Sequence, residues 1–287
     1  MPETNPTIVV LTALPVEYDA VRARIDVVDD DELVLGDGTR LEQGRLPDTP
    51  WTVAMAELGE GALTAAALTT RIVSELAPEA LLFVGVAGGL KDDLEIGDVV
   101  VGTKVYAVHG GKESDDGFLA RPEAWHGSHR LLQAARSALR GLDGVRGHRK
   151  PLACGDVVLA GDRSALRERI QRTYNDAYAI EMEGSGASHA AHLSGQLDVL
   201  VIRGISDFAN AEKADADAGG SQEFAAAQAA EVAVAVLRKH RPRAGSSEPQ
   251  EGPQPVSDGK DTYGGDHIVF QGGTFHGTVI GKQVGRP

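Results

Sequence analysis

The order of apolar runs and helical patterns along the chain predicts an α/β sandwich around a buried, largely parallel sheet. Apolar runs of strand length recur at residues 8–13, 52–56, 80–86, 99–105 and 199–205, each bounded by Gly, Pro or charged residues. They are apolar on both faces, as strands covered on both sides must be. Helical patterns lie between them, and strand–helix alternation is the signature of layered α/β folds. With 287 residues, 42% of them hydrophobic, the chain can close a sizeable core as one large domain or two small ones.

The elements follow in order. Residues 8–13 form the first strand; the run is too short to span a membrane, and no basic leader precedes it. Pro15 is a good first-turn residue for a helix over 16–25. Residues 62–76 are rich in Ala and Leu and stop before Pro78. Ser164 caps a helix to residue 174 that carries Glu168 in its first turns. An Ala/Gly-rich helix follows at 184–194. The last helix, 222–239, ends in Arg238, Lys239, His240 and Arg241, which suit the negative end of the helix dipole.

Composition then changes. Residues 241–262 are rich in Pro, Gly, Ser and charge without periodicity and read as a flexible linker between a catalytic-type domain, 1–240, and a short β-prone tail, 263–287. In the tail, β-prone triplets alternate with Gly273, Gly277 and Gly281. Low charge with β-branched, aromatic, Gln and His side chains marks a segment that gains by stacking on copies of itself. An edge hairpin on the main domain, or a disordered terminus, accounts for the same residues.

The net charge of −14 argues against nucleic acid or an anionic membrane as partner, and favours a small polar or cationic ligand. Cys154 is the single cysteine, so no intrachain disulfide or thiolate metal cluster can form, which fits a cytoplasmic protein. His109, His126, His129 and His148 lack metal-ligand spacing, and no phosphate loop or Gly-x-Ser-x-Gly elbow is present. No metal or cofactor is expected.

Four acidic positions have the placement that cleavage of a purine–ribose bond needs: an acid for the leaving base, a grip on the sugar, and a base for the nucleophile. Asp207 follows Ser206 at the carboxyl end of the 199–205 strand, where open α/β sheets line their ligand crevices; by position alone it also reads as a turn cap. Glu181 and Glu183 flank Met182 ahead of a helix. Strand alternation points both carboxylates to one side for vicinal hydroxyls, whereas first-turn helix acids are the other reading. Glu17, one turn into the first helix, is placed to activate water, or belongs to a solvated face beside Asp19. Val86, Ala87 and Gly88 lie in a glycine turn after the 80–86 strand, where a ligand can approach the backbone.

Taken in order, these segments resemble the nucleoside phosphorylase and nucleosidase superfamily, in particular its methylthioadenosine/S-adenosylhomocysteine nucleosidase branch, from about Thr7 to His240. The match rests on Thr12–Glu17, on Gly85–Leu90 with Gly97 to Val100, on Ala179–Gly184, and on Arg203–Asp207. The resemblance implies a three-layer α/β/α sandwich with a mixed, mostly parallel sheet. It implies that Glu17 activates water, Glu183 holds the ribose hydroxyls, Met182 packs on the sugar and Asp207 acts on purine N7. Ser206 would orient Asp207, Arg203 would tie the carboxylates together, and Val158 and Leu159 in the 155–161 loop would contact the base. Val86 stands where those nucleosidases carry Ser, and Val158 where they carry an aromatic; the latter leaves room for a bulkier or phosphorylated adenine compound. The tail resembles bacterial amyloid signalling motifs appended to cell-death effectors. The combined expectation is a homo-oligomeric purine N-glycosidase acting on a small nucleoside or nucleotide. Its partners would be a receptor or further copies, engaged through residues 265–284. A salvage phosphorylase recruiting Arg22, Arg24 and His109 for phosphate, and a nucleoside-binding sensor without turnover, are the alternatives.

Overall fold

A computed structural model of the chain describes residues 6–115, 117–161, 163–195, 197–210 and 219–243, with the backbone alone for residues 28–31. The expected assembly motif, 263–287, and the linker beyond residue 243 lie outside the described residues. The chain runs β1 (Thr7–Thr12), α1 (Pro15–Arg22), β2 (Asp26–Val34), β3 (Arg40–Arg45), β4 (Thr52–Glu57), α2 (Ala62–Leu76), β5 (Ala80–Gly89) and β6 (Val99–Ala107). It continues through β7 (Gly111–Ser114), β8 (Gly117–Ala120), β9 (Glu123–His126), α3 (His129–Ala138), β10 (Gly147–Cys154), α4 (Ala165–Thr173), β11 (Ala179–Glu181), α5 (Gly184–Leu193), β12 (Asp198–Asp207) and α6 (Ser221–Lys239).

The main sheet has the order β11-β10-β6-β12-β5-β1-β4-β3-β2, with β9 added on β6. Its centre is parallel: β1 pairs with β4 and β5, and β12 with β5. Antiparallel ladders join β12 to β6 and carry the sheet outward through β3 and β2. β11 also pairs antiparallel with β5, placing Ile180 opposite Gly88. Five strands therefore close on themselves, and the carboxyl ends of β5, β11 and β12 meet.

The apolar runs predict this burial because each alternates between two cores. Ile8 and Val10 of β1, with Leu82 and Val84 of β5, pack on the side of α1, α3 and α6, whereas Val9, Leu11, Leu81 and Phe83 pack on the side of α2 and α5. Each fully buried Leu, Ile or Phe contributes about 1.5–3 kcal/mol. All five predicted strands form, as do the helices, with boundaries moved by a few residues; α1 ends at Arg22 rather than residue 25. No helix among the described residues is long and apolar enough to cross a membrane.

Two glycines let helices seat directly on their neighbours. A Cβ at Gly204 would stand 2.0 Å from the Ala225 carbonyl oxygen of α6, and one at Gly186 would stand 1.9 Å from the Ala62 carbonyl oxygen. Neither obstacle is a flexible side chain, so the elements would have to separate. Gly204→Ala should lower stability by roughly 1–3 kcal/mol or more, the scale of overpacking. Gly141→Ala, with open space around its Cβ, should stay within about 0.5 kcal/mol of the parent. Urea denaturation of the three proteins checks the contrast.

Candidate active site

Arg203, in the middle of β12, has no solvent exposure, yet it is an arginine. Its Nη2 donates to Glu181 Oε2 and, at 3.2 Å, to Glu183 Oε2; Nη1 stands 3.8 Å from Glu17 Oε1. The guanidinium also lies 4.8 Å from the Phe83 ring centroid, within cation–π range. Burial by itself would lower its pKa, but the three carboxylates outweigh that and raise it, so the group stays charged. Gly85 makes the approach possible, since a Cβ there would collide with Arg203 Nη1 and Glu17 Oε1.

Each carboxylate is then fixed by local backbone. Glu17 is the third residue of α1 and folds back on the helix start, where Oε2 accepts from the N–H groups of Ala13 (2.8 Å) and Leu14 (3.0 Å), in the manner of a capping box. Its Oε1 accepts from Val86 N–H at 2.7 Å. Only 2% exposed, it is no solvated helix acid. Burial raises its pKa, opposed by Arg203 and by the three N–H groups.

Glu181 ends β11, and its Oε2 accepts from the N–H groups of Glu183 (3.2 Å) and Gly184 (2.7 Å); its buried Oε1 has no hydrogen-bond partner among the described residues. The strand stops here, so the alternation expected to align residues 181 and 183 does not occur. Glu183 is instead the N-cap of α5, at φ −121° and ψ −32°. A bend, rather than a pleat, brings both carboxylates to Arg203. Glu183 Oε1 reaches across to accept from Gly61 N–H at 3.0 Å, ahead of α2. Burial pushes its pKa up to about 7, against the pull of Arg203 and with the push of Glu181.

At the end of β12, Ser206 Oγ donates to Asp207 Oδ2 at 3.0 Å, and Ala209 N–H donates to Oδ1 at 2.7 Å. Asp207 thus does cap the following turn, as its position allowed, while its carboxyl is held in orientation. Gly88 leaves the space for it, because a Cβ there would be 2.9 Å from Asp207 Oδ1.

These groups border one cavity of about 160 Å³. Glu17, Glu181, Met182, Glu183, Ser206 and Asp207 line it, as do Val86, Ala87, Gly88, Val158 and Leu159. Arg203 does not. Expected to tie the carboxylates together as part of the catalytic set, it lies behind them, where a guanidinium with no exposure cannot touch a ligand. Glu60, Ile180 and Gln222 also line the cavity and were not singled out from sequence. Glu60 had a usable signal: it follows β4 between Gly59 and Gly61, at the same sheet edge as Glu17.

Residues 7–239 match the family model of the phosphorylase superfamily. The chain belongs to the phosphorylase superfamily. Among curated superfamily relatives it is 28% identical to the ATP nucleosidase Cap17 of Escherichia coli (strain KTE188), over 74% of this chain and 48% of that protein. It thus spans about half the length of the curated relatives it matches. Among solved structures it is similar to the MTA/SAH nucleosidase of Streptococcus pneumoniae in complex with 8-aminoadenine, with a TM-score of 0.69, 25% identity, and coverage of 81% of this chain and 99% of that one. The futalosine hydrolase of Helicobacter pylori strain 26695 shares the fold, with a TM-score of 0.71, 22% identity, and coverage of 81% and 97%. Superfamily membership bears out the α/β fold expected from the apolar runs and the mixed sheet that the resemblance implied.

The pKa of Glu183 gives a signed expectation for stability. A carboxyl raised from 4.5 to about 7 on folding contributes stability that is full below the unfolded value and is lost as pH rises through about 7. Glu183→Gln removes that titration. Relative to the parent, the variant should therefore gain roughly 1–3 kcal/mol between pH 4.5 and pH 7.5, read from denaturant midpoints across that range; a flat difference would contradict the assignment.

Proposed function

We propose that this chain hydrolyses the N-glycosidic bond of adenine nucleosides or nucleotides with water as the nucleophile. The observation that carries the reading is the pairing of Glu17 and Asp207 on one cavity, each carboxyl aimed by at least two hydrogen bonds. With a nucleoside bound, Asp207 gives its proton to N7 as the C1′–N9 bond breaks and the bonding pair leaves with the base. Glu17 takes a proton from water as the water oxygen bonds to C1′. Glu183 accepts from the ribose hydroxyls, Met182 packs on the sugar, and Val158 and Leu159 flank the base. General acid and general base each supply about 10²–10⁴-fold.

Water is favoured over phosphate by charge. Glu17, Glu60, Glu181, Glu183 and Asp207 line the cavity, and no Lys, Arg or His among the described residues does. The cations a phosphorylase would recruit are engaged elsewhere: Arg22 with Glu42, Arg24 with Glu231, and His109 Nε2 with the Asp156 amide. A phosphate dianion entering here would meet five acidic side chains and, among the described residues, no cationic one. Adenine as the base is supported by the relative named as an ATP nucleosidase and by the similar nucleosidase solved with 8-aminoadenine. Val158, 54% exposed at the rim, leaves room beside the base.

Adenine release from adenosine, methylthioadenosine, AMP and ATP, each with and without phosphate, tests the reading. Turnover should need no phosphate, and Asp207→Asn and Glu17→Gln should each lower it by roughly a hundredfold or more. Strict phosphate dependence, or near-parental rates in both variants, overturns it.

We infer further, from sequence alone, that residues 263–287 assemble copies of the chain in a cytoplasmic effector. A peptide of residues 263–285 should form fibrils with strand spacing near ~4.7 Å by fibre diffraction; a peptide that stays monomeric at high concentration removes this inference.

A further inference from the structure

The loop that would flank the base and the glutamate that would grip the sugar hang from the same helix end. The first is tied by Asp156, whose Oδ1 accepts from Ala62 N–H at 3.0 Å; the second is Glu183, whose Oε1 accepts from the preceding amide, Gly61 N–H, at 3.0 Å. These are consecutive donors at the start of α2, groups with no partner inside the helix. Gly61 holds φ at +100°, a conformation that favours glycine.

The other side of the same peptide is held too. Asp156 N–H donates to His109 Nε2 at 2.9 Å, which requires the neutral ring with its proton on Nδ1. Gly155 is needed for the approach, because a Cβ there would lie 2.7 Å from His109 Nε2 and 2.9 Å from Val108 Cγ2. Gly155 N–H meanwhile donates to the Glu181 carbonyl at 3.0 Å. The three residues that follow, Val157, Val158 and Leu159, all line the cavity. Neither Asp156 nor His109 lines it.

We propose that Asp156 and His109 are positioning residues that lock the base-flanking loop to the helix end carrying Glu183, so that the distance between base and sugar sites is set by the spacing of two adjacent peptide groups. The inference rests on the proposed reading of Val158 and Leu159 as base contacts. It predicts an effect on binding rather than on chemistry, since Asp207 and Glu17 are held by other elements.

The test compares the parent chain with Asp156→Ala, Asp156→Asn and His109→Ala. The alanine variant at 156 loses the acceptor, whereas asparagine keeps an oxygen for Ala62 N–H. For Asp156→Ala, KM and the inhibition constant of free adenine should rise together, roughly three- to tenfold, the worth of one hydrogen bond, with kcat within about twofold. Asp156→Asn should recover most of that change, and His109→Ala should show the same pattern as Asp156→Ala. Amide exchange over residues 155–161 should quicken in both alanine variants and stay near the parent in Asp156→Asn. A fall in kcat at constant KM, or unchanged exchange over 155–161, overturns the proposal. If the parent releases no base, the proposed hydrolysis fails by itself. The exchange pattern, together with adenine affinity by calorimetry, then decides the lock in the same terms.

Discussion

One buried cation organises the site. Removing an arginine from water costs several kcal/mol, and each carboxylate beside it costs as much again, so the cluster is a poor way to gain stability. Apolar side chains of the same volume in the middle of β12 would serve folding as well. What the cluster supplies is position. Arg203 holds Glu181 and Glu183 directly and Glu17 by charge, and these three residues come from a helix start, a strand end and a helix cap, the first of them far in sequence from the other two. Deleting the guanidinium while leaving the acids would strand them in a dry interior, where a lost partner typically costs about 3–5 kcal/mol.

Much of this was legible because it depends on local chemistry. Short runs apolar on both faces, bounded by Gly, Pro or charge, read as buried strands, and β1, β5 and β12 formed where such runs lie. Glu17, Asp207 and residues 85–88 could be placed at one sheet edge by following strands to their carboxyl ends, but residues 85–88, expected as a turn, instead continue β5 to Gly89, held by ladders to β12 and β11. The elements that escaped are those whose residues carry a mixed message. β2 is acidic and lies at the sheet edge; β10 begins with Gly147, His148, Arg149 and Lys150 and slips register next to Pro151, so that only its second half is apolar and buried. β11 is three residues long and is defined by its neighbours rather than by its own pattern.

The site shows the same division. Residue types announced acids near a sheet edge, but not the bend between Glu181 and Glu183, because the backbone there is set by the join of β11 to α5 and by Gly184. Arginines are almost never fully buried unless paired, so the residue type argued against an interior Arg203 although it sits within the apolar run 199–205. Its burial follows from Gly85 opposite it in the β12–β5 ladder. Likewise the amides of Gly61 and Ala62 carry no side-chain signal at all. Backbone donors become visible only when the fold brings carboxylates to them.

The charge balance of the finished site explains why it suits the proposed reaction. Glu17, Glu181 and Glu183 share one guanidinium, and Asp207 and Glu60 add to the same cavity wall. Burial raises the Glu17 and Glu183 carboxyls above their ordinary range against the pull of Arg203, and the acidic side chains on the cavity wall outnumber the single guanidinium behind them. Cleavage of an N-glycosidic bond builds positive charge on the sugar at the moment the base departs. A ground-state nucleoside presents little of that charge, so the surplus acts mainly on the transition state, which is the condition under which an interaction accelerates rather than merely binds. Because the carboxylates are already fixed by Arg203 and by backbone N–H groups, they need not reorganise as the charge appears. The buried arginine and the glycines that admit it thus do their work before any substrate arrives.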